Sequence, residues 1–219
     1  MRPAAHLLLI EAGAIRPILE ALDPAGFDAP TVCTGWSVRD VLGHCGAALT
    51  RVIADDVHGF SPQDNEADVA HRRLWPIDRV LQELFAGYES AASEIDTAGG
   101  RLDGIGLGEW VHGGDVRAAI AAPNPYTSEG VDLAFDLLVE RSAGRHTPVG
   151  QTSQTVVTHT PVLDFVVDGR TGRFGGDGDP TGQLTTDLET FIRLCSGRRP
   201  DAQRYDLTGA APEDVALFA

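Results

Sequence analysis

The sequence predicts a mainly α chain, with a helical bundle over residues 1–142 and a small α+β domain over 143–219. Three observations carry that division. Apolar residues recur at three- and four-residue intervals through most of the first part. Short β-branched runs bounded by Gly or Pro follow Gly144, and a glycine-rich stretch lies between 169 and 182. At 219 residues and 42% hydrophobic content the chain can bury a full core, as one large domain or two small ones.

The elements follow in order. From Ala4 to Leu22, the residues Leu8, Ala12, Ile15 and Leu19 share one helical face despite Pro17, and Pro24 and Gly26 stop the helix. Ser37 with Asp40 three residues on is a variant capping box; it starts a second helix through Val41, His44 and Leu49 to Asp56, with Trp36 placed to staple its first turn. His58 to Leu74 is polar, shows little periodicity and reads as a loop. Pro76 opens a helix carrying Val80, Leu84, Tyr88 and Ile95, which Gly99 and Gly100 close. A fourth stretch runs from Ile105 to Ala122 and ends at Pro123 and Pro125, and a fifth covers Glu129 to Ser142. Beyond the junction, Val156 to Val157 and Val162 to Val167 read as strands, and Gly169 to Gly182 as turns. Asp187 to Ser196 is helical, with Leu188, Phe191, Ile192 and Cys195 on one side and Gly197 in the C-cap position.

Composition narrows the function. All seventeen basic residues are Arg, against thirty-two acidic ones, for a formal charge of -15. Such a charge repels phosphate backbones and anionic lipid, so neither nucleic acid nor membrane is an expected partner. The lack of Lys excludes a P-loop and a Schiff-base enzyme. Cys33, Cys45 and Cys195 are odd in number and form no Cys-x-x-Cys pattern, and no run reaches the length of a bilayer span. A reducing cytoplasm is the expected location, with the chain a monomer or homodimer.

Glu109 and His112 stand three apart in a predicted helix and project from one face, so both can grip one ion. A bundle is the scaffold on which ligands from a facing helix, here His44, converge with them. Asp115, three residues after His112, can orient a ligand or serve as a structural acceptor for the backbone or Arg117. Cys45 adjoins His44, but consecutive helical residues diverge by about 100°, which makes it a small buried residue rather than a ligand of the same ion. His6, His58, His71, His146 and His159 match no motif. Gly175 to Asp179 lacks the long loop and closing glutamate of an EF-hand and reads as a turn.

Thr34 to His44 (Thr-Gly-Trp-Ser-Val-Arg-Asp-Val-Leu-Gly-His) resembles the first metal motif of the mycothiol-dependent maleylpyruvate isomerase family. Gly108 to Arg117 resembles the second, and Leu194 to Arg198 (Leu-Cys-Ser-Gly-Arg) the short motif near the family's C-terminus. The resemblance implies a DinB-like four-helix bundle with a zinc-type site, a smaller α+β domain after it, and mycothiol as cofactor. Carried over by motif, the metal ligands are His44, Glu109 and His112, although the family sets its glutamate four residues before the histidine and Glu109 stands three before. Arg198 falls at the family position of an anion anchor, where its planar fork can hold a carboxylate; the other role open to it is to answer the helix dipole.

Two histidines and one carboxylate leave a coordination position open, as in catalytic zinc sites, and a dication there deprotonates a bound thiol. The expected function is therefore a metal-dependent enzyme using mycothiol for isomerisation of a small unsaturated acid or for S-transfer to an electrophile. Two other readings remain open from the residues: an amidase-type hydrolase that activates water at the same position, and a metal-dependent binding or regulatory protein without turnover.

Overall fold

The computed structural model describes residues 1–57, 60–144 and 160–218, which divide into two compact units, the first ending at Gly130 and the second beginning at Val131. The first unit is built from α1 (Pro3–Glu20), α2 (Val38–Ile53), α3 (Pro62–Arg72), α4 (Ile77–Thr97) and α5 (Asp103–Ala119). Helices α1, α2, α4 and α5 form the four-helix bundle, in which α2 packs on α4, α1 packs on both α4 and α5, and α2 also meets α5. The periodic residues read from the sequence fill its core: Leu8, Ile15, Leu19, Val41, Leu49, Val80, Leu84, Tyr88 and Ile95 are all buried. Gly106 lets α5 approach α1 closely, since a Cβ there would stand 2.4 Å from the Ala4 carbonyl oxygen. That approach sets how α5, the helix carrying His112, lies in the bundle.

Helix α2 begins as its capping box dictates, with Ser37 accepting from the Asp40 N–H and Asp40 accepting from the Ser37 N–H. The expected loop between His58 and Leu74 is instead largely helix. A second capping box, Ser61 with Asp64, and Pro62 in the first turn start α3. Its buried residues are only Val69 and Arg72, so it carries almost no apolar stripe. Ion pairs attach it to the bundle: Arg72 donates to the Glu83 carboxylate of α4 at 2.6 and 2.7 Å, and Arg51 of α2 donates to Asp68 at 3.0 Å.

The second unit holds α6 (Val131–Ser142), β1 (Leu163–Val167), β2 (Arg170–Phe174), β3 (Gly182–Thr186), α7 (Leu188–Cys195) and β4 (Tyr205–Thr208). Its sheet has the order β2-β1-β3-β4, with β1 and β3 parallel and the outer pairs antiparallel. Asp168 and Gly169, with φ of 47° and 79°, make the two-residue turn of the β1–β2 hairpin. The glycine-rich piece expected to be turns therefore includes a strand. In β2 only Phe174 is buried, so apolar alternation could not announce it, and pairing with β1 creates the strand. The expected strand at Val156 to Val157 lies outside the described residues.

Helix α6 belongs to this unit, although the sequence reading placed it with the bundle. Phe135 meets the rings of Phe165 and Phe191 at 5.7 and 4.9 Å, so its apolar face is covered by β1 and α7. Among the described residues no helix is long and apolar enough to cross a membrane.

Candidate metal centre

His44 and His112 come from two helices, α2 and α5, and their rings meet edge to face with centroids 5.1 Å apart and planes at 80°. The Trp36 ring lies 5.0 Å from that of His44. Trp36 also donates its indole N–H to Glu66 of α3 at 2.8 Å, which fixes the ring from its far end.

Asp115 sits one turn after His112 on α5, with its Oδ2 3.0 Å from His112 Nδ1. The residue has no exposed surface, so its carboxylate needs partners inside the protein. Its Oδ1 accepts the Tyr126 hydroxyl at 2.6 Å. Tyr126 can reach it because residue 114 is glycine: a Cβ on Gly114 would stand 2.6 Å from the tyrosine ring.

Cys33 is presented from a tight turn just before α2. Its carbonyl accepts the Trp36 N–H at 2.9 Å, and Gly35 takes the φ of 81° that such a turn requires. Thr31 Oγ1 pins the turn, accepting the Cys33 N–H at 3.1 Å and donating to the Trp36 carbonyl at 2.9 Å. The half-buried sulfur then lies 3.4 Å from Asp115 Oδ2 and 4.0 Å from His112 Nδ1. Among the described residues, Cys33, His112 and Asp115 form the group of donors close enough together to share one ion, each ligand atom within 4.8 Å of the others.

Glu109 stands outside that group. Its carboxyl is buried in the bundle, 2% exposed, and Oε2 has no hydrogen-bond partner among the described residues. Burial pushes its pKa up to about 8; a hydrogen bond from the Cys45 thiol of α2 opposes the rise, and the nearby Glu11 adds to it. Cys45 is thus a buried thiol facing Glu109, and desolvation raises its pKa well above the ordinary thiol value. The three-residue spacing turns Glu109 inward while His112 faces the Cys33 turn.

Deeper in the bundle, Glu11 of α1 accepts from Arg117 of α5 at 2.9 Å, with both side chains buried. Burial raises the Glu11 pKa to about 7 against the pull of Arg117.

Arg198 lies in the second unit, just past α7. Gly197, with φ of 76°, donates its N–H to the Leu194 carbonyl at 3.0 Å, and the Arg198 N–H reaches the Arg193 carbonyl at 2.8 Å, which together make a Schellman cap. The half-buried Arg198 guanidinium donates to the Ser196 carbonyl.

Of the residues singled out in the sequence, the structure brings His44, His112 and Asp115 into one locality. It adds Cys33 and Tyr126, which sequence reasoning had not placed there. Cys33 immediately precedes the first motif, but its contacts span 79 and 82 positions and follow no local spacing.

A family model described as the mycothiol maleylpyruvate isomerase N-terminal domain matches residues 8–123. Two solved structures share the fold, both crystal structures of the mycothiol-dependent maleylpyruvate isomerase and one of them a histidine-to-alanine mutant. They are 13% and 12% identical to this chain, each with a TM-score of 0.61 and with 97% of this chain and 96% of that chain covered. At such identities the likeness is one of fold. No curated protein matches the sequence.

Proposed function

The chain belongs to the mycothiol maleylpyruvate isomerase family, and from that premise we propose that it is a metal-dependent enzyme using the low-molecular-weight thiol mycothiol, in isomerisation of a small unsaturated acid or in S-transfer to a related electrophile. The observation that carries the reading is the meeting of His44 and His112 beside a buried, doubly bonded carboxylate.

The residues present fit a divalent ion. Imidazole and carboxylate donors suit zinc and its neighbours, and a carboxylate fixed by a second partner, as Tyr126 fixes Asp115, is the usual support of a metal ligand. In this reading His112 and Asp115 would hold the ion, with Asp115 in the part that the sequence motif assigned to Glu109. His44, which stands outside the close donor group but meets the His112 ring, would complete the set on a small rearrangement. Three protein ligands leave one position open. An ion bound there would lower the pKa of a thiol entering that position, so that the sulfur can add to an activated double bond at neutral pH.

The chain's own groups prepare that chemistry. Trp36 and Tyr126 hold His44 and Asp115 by ring contact and hydrogen bond, which limits how far either side chain must move when substrate arrives. Arg198 is the proposed anchor for a substrate carboxylate, since its charge is permanent and its fork matches the two oxygens.

Elemental analysis of the protein purified without added metal tests the reading. We expect about one equivalent of zinc in the parent and little in His44→Ala or His112→Ala. Unchanged metal in both variants would sink it. Turnover assayed with and without thiol separates the chemistries, because activity independent of thiol would replace this reading with hydrolysis.

A further inference from the structure

We propose that the thiolate of Cys33 occupies the open metal position in the resting protein and gives it up to the incoming thiol. The inference rests on the metal site proposed above, and adds to it the group that fills the position before catalysis.

The geometry is that of a ligand. Zinc–donor bonds of about 2.0 to 2.3 Å at the tetrahedral angle put neighbouring donors about 3.3 to 3.6 Å apart. The three edges between Asp115 Oδ2, His112 Nδ1 and Cys33 Sγ measure 3.0, 3.4 and 4.0 Å, which bracket that spacing. Sulfur is also the donor of this set that a borderline-soft ion favours. Without an ion, the Cys33 S–H donates to the same Asp115 oxygen that stands beside His112 Nδ1. With an ion held among the three atoms, the Cys33 thiol would give up its proton to solvent and His112 would keep its proton on Nε2.

Exchange follows from where Cys33 is placed. His112 and Asp115 are set in α5, and Asp115 is fully buried, whereas Cys33 belongs to a turn outside the helices. Its sulfur can leave without disturbing the bundle. An entering thiol would take the place of the Cys33 sulfur at the ion, one metal–sulfur bond being exchanged for another, and would give its proton to that sulfur as it swings out of the position with its turn. Nothing is oxidised, and the charge at the ion is unchanged. Cys33 in this way keeps water from the position until a sulfur of the same kind replaces it.

The test uses the full chain loaded with cobalt(II), freed of unbound metal by dialysis and read by its thiolate-to-cobalt charge-transfer band in the near ultraviolet. The parent is expected to show the band before any thiol is added. Cys33→Ser should bind cobalt but lack the band, and should regain it on addition of 2-mercaptoethanol, while Cys45→Ser keeps it throughout. As a readout on the unmutated chain, alkylation of Cys33 by iodoacetamide, mapped by mass spectrometry, should be suppressed by cobalt and restored when the thiol is added. A parent that binds cobalt without the band, and whose Cys33 is alkylated equally with and without metal, would overturn the role of Cys33 and leave the metal site standing. A parent that takes up no cobalt would overturn the metal reading itself, and this inference with it.

Discussion

Asp115 and Glu109 are both buried acids on one helix, but their surroundings differ. Asp115 receives a tyrosine hydroxyl on one oxygen and lies against an imidazole and a thiol on the other. Glu109 faces Cys45 and Glu11, and burial keeps its proton on to about pH 8. Asp115→Asn should therefore lower metal affinity by about 100-fold or more, whereas Glu109→Gln, which replaces a mostly protonated acid with a neutral isostere, should leave metal content near that of the parent. Competition with a chelator measures both; a Glu109→Gln protein that loses its metal while Asp115→Asn keeps it would return the ligand role to Glu109. At this scale the sequence disclosed the imidazoles, because their motifs are short and local. Helix spacing alone could not tell the carboxylate turned toward the Cys33 site from the one about 120° round the same helix, and no local pattern points to Cys33, which reaches the site through a turn.

Helices were legible where an apolar stripe or a cap marked them. Helix α3 had the cap, Ser61 with Asp64, but not the stripe, since ion pairs rather than apolar packing hold it to α2 and α4. The strands after residue 168 were harder to read: β2 and β4 bury little side-chain surface, and their identity depends on pairing partners distant in the chain. Helix α7 was read correctly, together with its terminal glycine. Its Schellman cap is made by backbone groups of Gly197 and Arg198, so the cap does not depend on the Arg198 side chain, which donates to the Ser196 carbonyl. Arg198→Ala should thus move the thermal midpoint little, raise KM for a carboxylate substrate about tenfold or more, and leave metal content unchanged. Equal KM in variant and parent would confine that arginine to capping.

For the whole molecule, the sequence conveyed a helical bundle and a small mixed domain. It did not convey that α6 joins the sheet, because an amphipathic helix does not reveal which core covers it. The net charge of -15 is carried mainly at the surface, but one acid at the heart of the bundle affects stability in a pH-dependent way. Burial raises the pKa of Glu11 from 4.5 to about 7, so the folded state holds a proton that the unfolded chain releases. Its stabilising contribution is full below about pH 4.5 and is lost as pH rises through about 7, a change on the order of 3 kcal/mol. Urea unfolding of the parent and of Glu11→Gln at several pH values should show the difference between them shrinking across that window and then levelling. A difference independent of pH would mean that Glu11 is ionised throughout, with Arg117 outweighing burial. The pairing of Glu11 with Arg117, 106 residues apart, also bears on synthesis. Until the ribosome has released residue 117, α1 carries an acid with no counter-charge, and burying it unpaired is costly. The Glu11–Arg117 pair, and with it the centre of the bundle, can be completed only once α5 has been made.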